Sequence, residues 1–154
     1  MARRCWLVKS EPESYSIDDL ARDGRTPWTG VRNFQARNLM RDQMRVGDEV
    51  LFYHSSADPT GVAGLARVAS EAYPDPTQFD KKSDYFDEKS TQDEPRWFVV
   101  DIEFVRRLPR IVTLAEIRDT PALADMPLVN RSRLSVQPVE PAAFDRIVSM
   151  AGKS

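Results

Sequence analysis

Apolar and polar side chains alternate along several short stretches of the chain, the pattern of half-buried β-strands. The clearest alternation runs through residues 96–105, where four apolar side chains fall on one face: Phe98, Val100, Ile102 and Phe104. Other segments rich in apolar, β-branched or aromatic residues predict strands at 5–9, 49–55, 61–73 and 133–136. The glycines within 61–73 indicate a bend or a close backbone approach in that strand.

Helical signals separate these predicted strands. Ser16, followed closely by two acidic residues, predicts a short helix that Ser16 caps and Gly24 ends. A second helix is predicted from Asn33 to about Met44, because apolar residues recur there at every fourth position. The remaining helices are predicted at 114–118 and 141–150, and loops at 74–95 and 121–129. Strands that do not alternate regularly with helices favour an α+β fold around a small curved or barrel-like sheet.

The composition fits one globular domain over residues 1–154. Hydrophobic residues make up 41% of the chain and charged residues 30%, which is enough apolar material for a single core. We expect this domain to act as a monomer.

Charge is distributed unevenly. The net charge of −2 argues against a protein that coats nucleic acid through charge alone. Residues 1–48 carry nine basic and seven acidic side chains, whereas residues 49–108 carry seven basic and twelve acidic ones. A polyanion should therefore approach the first third of the chain, because steering follows the local potential.

The chain has one cysteine, Cys5, and one histidine, His54. An intramolecular disulfide, a cysteine-based zinc site and any mechanism that needs two histidines are therefore excluded. We expect no metal and no redox cofactor. No apolar run is long enough for a signal peptide or a membrane span, so the sequence predicts a cytoplasmic protein without a membrane partner.

Familiar enzyme motifs are missing from the sequence. It has no phosphate-binding loop, no dinucleotide fingerprint and no nucleophile elbow. His54 and Ser55 are adjacent in a predicted strand, so their side chains should point to opposite faces. A structural role for His54 is therefore favoured over a catalytic one, and no catalytic residue is predicted.

The segment WTGVRNFQARN, at 28–38, is rich in groups that could recognise a base. Trp28 lies in a predicted loop, where a flat aromatic ring could stack on a base. Arg32 and Asn33 place donors and acceptors beside it. An alternative remains open, in which Trp28 closes the core, Asn33 caps the helix and Arg32 is a surface charge.

Two further polar clusters have similar alternatives. Arg37, Arg41 and Arg45 recur at every fourth position, which suits a phosphate backbone but also an ordinary solvated helix face, the interpretation favoured for Arg45. The residues Lys9, Ser10 and Glu11 end the first predicted strand. They could line a pocket or form an exposed turn.

Several blocks, taken together, resemble the EVE domain family: WLVKSEP at 6–12, WTGVRNFQARN at 28–38, GDEVLFYHS at 47–55, PDPTQFD at 74–80, PRWFVVDI at 95–102 and RLSVQPV at 133–139. The resemblance runs from Trp6 to about Val148. It implies a single EVE domain, such as a bacterial stand-alone protein, with a PUA-like fold. That fold is a small curved β-barrel with peripheral short helices, related to YTH and ASCH domains.

The resemblance also implies a pocket that binds a modified base in DNA or RNA. Carried over to this sequence, its lining would include Lys9, Ser10, Glu11, Trp28, Val31, Arg32 and Asn33. A further wall would consist of Phe52, Tyr53, His54 and Ser55. Arg131 and Arg133, just before the last predicted strand, would reach the rim of the pocket. With Arg37 and Arg41, which their spacing on the helix suggests, they are the predicted phosphate contacts.

The leading hypothesis is a non-enzymatic module that takes one flipped base into this pocket, with nucleic acid as its partner. One alternative is a small ASCH-like amidohydrolase acting on a modified nucleoside through Lys9, Ser10 and Glu11. Three consecutive residues of an extended chain cannot all face one point, which weakens that alternative. Another is a protein-interaction domain that binds through the acidic loop at 74–95.

Overall fold

A mostly antiparallel sheet forms the centre of the computed structural model, which describes residues 3–130 and 134–152. The strands are β1 (Cys5–Ser10), β2 (Arg25–Pro27), β3 (Glu49–His54), β4 (Gly61–Val68), β5 (Tyr73–Pro74), β6 (Phe98–Val99), β7 (Asp101–Thr113) and β8 (Val136–Val139). Among the described residues, six strands form the main sheet in the order β2-β7-β4-β3-β1-β8, and β5 pairs with β6. Only the β1–β3 pair of the main sheet is parallel among these described strands.

Short helices pack around the sheet. They are α1 (Ile17–Asp23), α2 (Phe34–Asp42), α3 (Leu114–Arg118), α4 (Pro127–Asn130) and α5 (Pro141–Met150), with 3-10 turns at Pro76–Phe79 and Pro121–Leu123. The register shifts between β3 and β4 and between β4 and β7. Such irregularities bend a sheet and increase its twist, and the sheet curls accordingly. The α+β prediction is therefore correct.

The helix ends form as the sequence predicts. The Ser16 hydroxyl accepts a hydrogen bond from the backbone of Asp19, and the Asp19 carboxylate accepts one from Ser16 N in return, which completes a capping box. Gly24 ends α1 with a φ of 77°, a backbone conformation that glycine adopts without steric cost.

The alternation along the strands divides the core into two clusters, one on each face of the sheet. In β3, Val50 and Phe52 join the cluster beneath α1 and α2, whereas Leu51 and Tyr53 join the cluster beneath α3 and α5. A strand in the middle of a sheet covered on both faces is apolar throughout, which explains why β3 reads as a continuous apolar run.

Several predicted boundaries were wrong. The segment 96–105 is divided between β6 and β7, and β7 continues to Thr113 through a polar stretch that the sequence did not mark as a strand. That stretch is largely exposed while it pairs with β4, so its side chains carry little apolar signal. Strand β4 ends at Val68 rather than at residue 73.

Other differences lie near the chain's short elements. The last strand was predicted at 133–136, whereas β8 begins at Val136 and ends at Val139, so both of its ends lie three residues later than predicted. The predicted loop 121–129 contains a 3-10 turn and the start of α4. Strand β2 was not predicted, because it is a three-residue edge strand that ends in proline.

Candidate functional site

A cavity of about 470 Å³ opens between the end of β1 and the loop that follows β2. Its lining combines backbone, polar and aromatic groups: Lys9, Ser10, Glu11, Ser14, Tyr15, Thr26, Pro27, Trp28, Thr29, Gly30, Val31, Arg32, Tyr85 and Ser135. A depression of about 740 Å³ lies near the start of β1 and α5 and contains none of the predicted site residues. Four of the predicted polar residues line the smaller cavity instead: Lys9, Ser10, Glu11 and Arg32.

The end of β1 supplies one side of the cavity. The Ser10 hydroxyl donates to the backbone oxygen of Tyr15 at 2.6 Å, which holds the turn that follows the strand. The Lys9 ammonium lies 5.8 Å from the centre of the Tyr53 ring, and burial lowers the pKa of Lys9. The Ser10 hydrogen bond therefore fixes this side of the cavity, whereas the partly desolvated Lys9 ammonium lies beside Tyr53, whose ring belongs to the core cluster on the opposite face of the sheet.

Trp28 belongs to both the core and the cavity. Its side chain is 8% exposed, and its ring meets Phe52 and Tyr15 edge-on at centroid distances of 5.5 and 6.4 Å. Its backbone nitrogen donates to the carbonyl of Val100 at 2.9 Å. Trp28 thus packs in the core and also borders the cavity, and its stacking on a base stays a prediction.

Asp75 is a buried carboxylate that the sequence did not single out. It accepts hydrogen bonds from Gly30 N at 3.0 Å, from both the backbone and the hydroxyl of Thr77, and from Arg32 at 3.1 Å. Burial opposes ionisation of this carboxyl, but the bonds from Thr77, Gly30 and Arg32 outweigh it and lower the pKa of Asp75. The ionised side chain ties the loop after β2 to the 3-10 turn at Pro76–Phe79.

Arg32 lines the cavity as predicted, but its guanidinium is occupied within the protein. Besides Asp75, it donates to the Thr77 hydroxyl at 3.1 Å and to the backbone oxygen of Tyr85 at 2.6 Å. A phosphate could engage this group only by displacing these partners. Arg32 therefore organises the wall of the cavity.

Tyr85 completes that wall from the acidic loop at 74–95. Its side chain is 45% exposed, and the guanidinium carbon of Arg32 lies 5.5 Å from the centre of its ring. The loop is held to the domain in further places, since Asp87 accepts from Trp97 Nε1 at 2.7 Å and from Arg96. Sequence reasoning missed Tyr85, whose signal was that of one among three aromatic residues, with Phe79 and Phe86, in a largely polar loop.

The predicted second wall does not line the cavity. Phe52 packs behind Trp28, Tyr53 faces the opposite core cluster, and Ser55 is held through its backbone nitrogen by the Ser10 carbonyl. His54 Nε2 accepts a hydrogen bond from the backbone nitrogen of Ile17, the first residue of α1. The structural role favoured for His54 is thus the one that the structure shows.

Asn33 also lies outside the cavity lining. Its side-chain oxygen accepts from Ala36 N at 2.9 Å, so it is the N-cap of α2. Capping satisfies a backbone donor that would otherwise lack a partner, which accounts for an asparagine at this position. Val31, by contrast, does line the cavity.

Two of the four predicted phosphate contacts, Arg37 and Arg41, lie along α2. Arg37 Nη1 donates to the Arg96 carbonyl at 2.8 Å, and its guanidinium lies 4.7 Å from the centre of the exposed Phe34 ring. Arg41 pairs with Asp42 at 2.8 Å on the helix surface. The other two predicted contacts, Arg131 and Arg133, lie outside the described residues.

Within residues 3–130 and 134–152, no cluster of three histidine, cysteine, aspartate or glutamate side chains is arranged to hold a metal ion. In the same part of the chain, no helix has the length and apolar character needed to cross a bilayer.

The curled sheet, the short peripheral helices and the position of the cavity define a PUA-like domain. An ASCH protein from Zymomonas mobilis shares this fold at 10% identity, with a TM-score of 0.56 over 96% of this chain and 99% of that one. The EVE domain model matches residues 4–150, so the chain belongs to the EVE family and the predicted resemblance is confirmed.

Relatives in the family are similar over nearly the whole chain. Human thymocyte nuclear protein 1 is 42% identical, covering 96% of this chain and 74% of the human protein. A hypothetical protein from Leishmania major is 49% identical, with a TM-score of 0.94 over 97% of this chain and 95% of its own. Human THYN1 in complex with DNA containing 5-methylcytosine is 41% identical, with a TM-score of 0.92 over 98% and 99%.

Proposed function

We propose that this chain is a non-enzymatic reader that binds nucleic acid and takes one modified base into the cavity beside Trp28. The observation that carries the proposal is the cavity itself, which joins aromatic and polar groups in a fold shared with a protein crystallised on DNA containing 5-methylcytosine. Its volume of about 470 Å³ lies within the range of small-ligand pockets, so a single base fits.

The low net charge favours recognition of nucleic acid through contacts in the cavity over binding through electrostatic attraction alone. With a net charge of −2, the chain should bind an unmodified duplex only weakly at physiological salt. Basic side chains along α2 would hold the flanking phosphates, and the cavity would supply the preference for one base. Extruding a base from a duplex costs a few kcal/mol, which contacts in the cavity must offset.

The hydrolase alternative receives little support from the geometry. The Ser10 hydroxyl already donates to the Tyr15 carbonyl, so it is not poised as a nucleophile, and Glu11 is exposed at the turn. The protein-interaction alternative is weakened because the acidic loop is bound to the domain through Arg32 and Arg96.

The proposed reader would act as a monomer without a cofactor. A bacterial source and a cytoplasmic location of the chain stay predictions, because its relatives include a human protein whose name refers to the nucleus.

A binding titration tests the proposal directly. Fluorescent duplexes that carry one 5-methylcytosine, one cytosine or one of a panel of other modified bases would be titrated with the chain, and matched RNA duplexes would form a second arm. We expect at least one modified base to bind about tenfold or more tightly than its unmodified counterpart. Equal affinity across the panel would contradict the proposal. Mass spectrometry showing that an acylated nucleoside loses its acyl group in the presence of the chain would favour the amidohydrolase.

A further inference from the structure

We infer that Tyr85 is a second base-contacting residue of the cavity, and that Asp75 is the positioning residue that holds it in place. The inference rests on the proposed function, because it concerns how the same cavity recognises its base. Neither residue was predicted from the sequence as part of the site.

The first argument concerns available aromatic surface. Trp28 is 8% exposed and gives its ring surface largely to Phe52 and Tyr15, so little of it remains for a ligand. Tyr85 lines the same cavity and is 45% exposed. Stacking requires an accessible ring face, so Tyr85 offers a base more contact surface than Trp28 does.

The second argument concerns where the ring lies. A Cβ atom at Gly30 would come within 2.7 Å of the Tyr85 ring, and Gly30 has a φ of +82°. A side chain at this position would therefore collide with the ring and strain the backbone. The glycine lets the ring lie directly against the loop that carries Trp28, where it closes one side of the cavity.

The third argument concerns what holds the ring. One oxygen of the Asp75 carboxylate, Oδ2, accepts from both Gly30 N and the Arg32 guanidinium, and Arg32 in turn donates to the Tyr85 carbonyl at 2.6 Å. The Asp75 side chain is 1% exposed, so it is shielded from water and screening. One buried carboxylate thus fixes both the floor beneath the ring and the loop that carries it.

The Tyr85 hydroxyl adds a polar group at the mouth of the cavity. No hydrogen bond to it is present within the part of the chain that the structure describes, and Tyr85 is exposed. The hydroxyl is therefore accessible to a base edge or a phosphate, while the ring provides the stacking face.

The test replaces Tyr85 and compares it with its neighbour. Tyr85→Ala should weaken binding of the preferred modified duplex by about tenfold to a hundredfold, whereas Tyr85→Phe should keep most of the affinity because it keeps the ring. Phe86→Ala is the matched control, since Phe86 is the next residue, is 38% exposed and does not line the cavity. Wild-type affinity in Tyr85→Ala would overturn the inference.

A double-mutant cycle tests the role of Asp75. Asp75→Asn should weaken binding in the wild-type background by about tenfold and have little further effect in the Tyr85→Ala background, because its action passes through that ring. If Asp75→Asn lowers the binding affinity equally in both backgrounds, Asp75 acts independently of the Tyr85 ring, for example through folding of the domain. That result would overturn its positioning role.

The two levels of failure are distinguishable. If the wild-type chain does not discriminate among the modified and unmodified duplexes, the proposed function and this inference both fail. If the wild type discriminates and Tyr85→Ala does so equally well, only the inference fails.

Discussion

At the scale of single residues, Trp28 combines two roles that a sequence presents as alternatives. A large aromatic side chain in a loop suggests a ligand contact, and the same side chain near apolar strands suggests core packing. The structure places the ring edge-on against Phe52 while one side borders the cavity. We therefore expect a substitution of Trp28 to lower stability and also to change the lining of the cavity.

Stability measurements can separate Trp28 from Tyr85. Trp28→Ala should lower the free energy of unfolding by about 3–5 kcal/mol, because the ring fills part of the core. Tyr85→Ala should lower it by less than about 1 kcal/mol, since the side chain is exposed. Urea unfolding of both variants checks the difference, and similar losses would show that the acidic loop is part of the cooperative core.

We expect His54 to make the stability of the fold depend on pH. Its Nε2 must be unprotonated to accept from Ile17 N, and burial lowers its pKa below the ordinary value of 6.5, against a weaker raising effect of Asp18. The unfolded chain therefore takes up a proton at a higher pH than the folded chain does. The contribution to stability is present above about pH 6.5 and is lost as the pH falls through the folded pKa.

Replacing the imidazole tests this dependence. His54→Gln removes the titrating group, so the loss of unfolding free energy between about pH 7.5 and pH 5.5 should be smaller in the variant than in the wild type. Denaturant titrations at both pH values measure it. The carboxylates are the same in both proteins, and parallel pH profiles would rule out the role assigned to His54.

At the scale of elements, helix ends were easier to predict than strand ends. The caps at Ser16 and Asn33 are local, since each side chain binds a backbone group three residues away. The extent of β7 depends instead on its pairing with β4, which is distant in the sequence. Its exposed residues Arg106, Arg107, Pro109 and Arg110 carry no apolar alternation, so only the pairing with the partner strand reveals them as part of a sheet.

The phosphate contacts predicted on α2 can be tested through the salt dependence of binding. Arg37→Ala and Arg41→Ala should each weaken binding to modified and unmodified duplexes to a similar degree, because phosphate contacts carry no base information. Each lost contact should reduce the slope of log affinity against log salt by about one unit. Titrations at several salt concentrations measure the slope.

Arg146→Ala is the matched control, since it removes the same charge from α5, on the opposite face of the sheet. An unchanged salt slope in the α2 variants would show that those arginines make no phosphate contact and form an ordinary solvated helix face. Arg41 already pairs with Asp42, so its effect should be the smaller of the two.

At the scale of the whole molecule, the family and fold class followed from sequence blocks, whereas the cavity depended on contacts between distant segments. Lys9, Trp28 and Val31 were placed at the site because their blocks were recognisable. Asp75 and Tyr85 were not, because their importance arises only when the acidic loop meets the loop after β2. Polar residues in a loop carry no periodic signal that would indicate such a contact.

The place of β1 between β3 and β8 has a consequence for how the chain is made. Its partner on one side is an early strand, but its partner on the other is β8, near the far end of the sequence. During synthesis, the outer edge of β1 therefore stays unpaired until β8, more than 120 residues later, has left the ribosome. An open edge invites association with other chains, so the nascent protein is most vulnerable to aggregation in this interval.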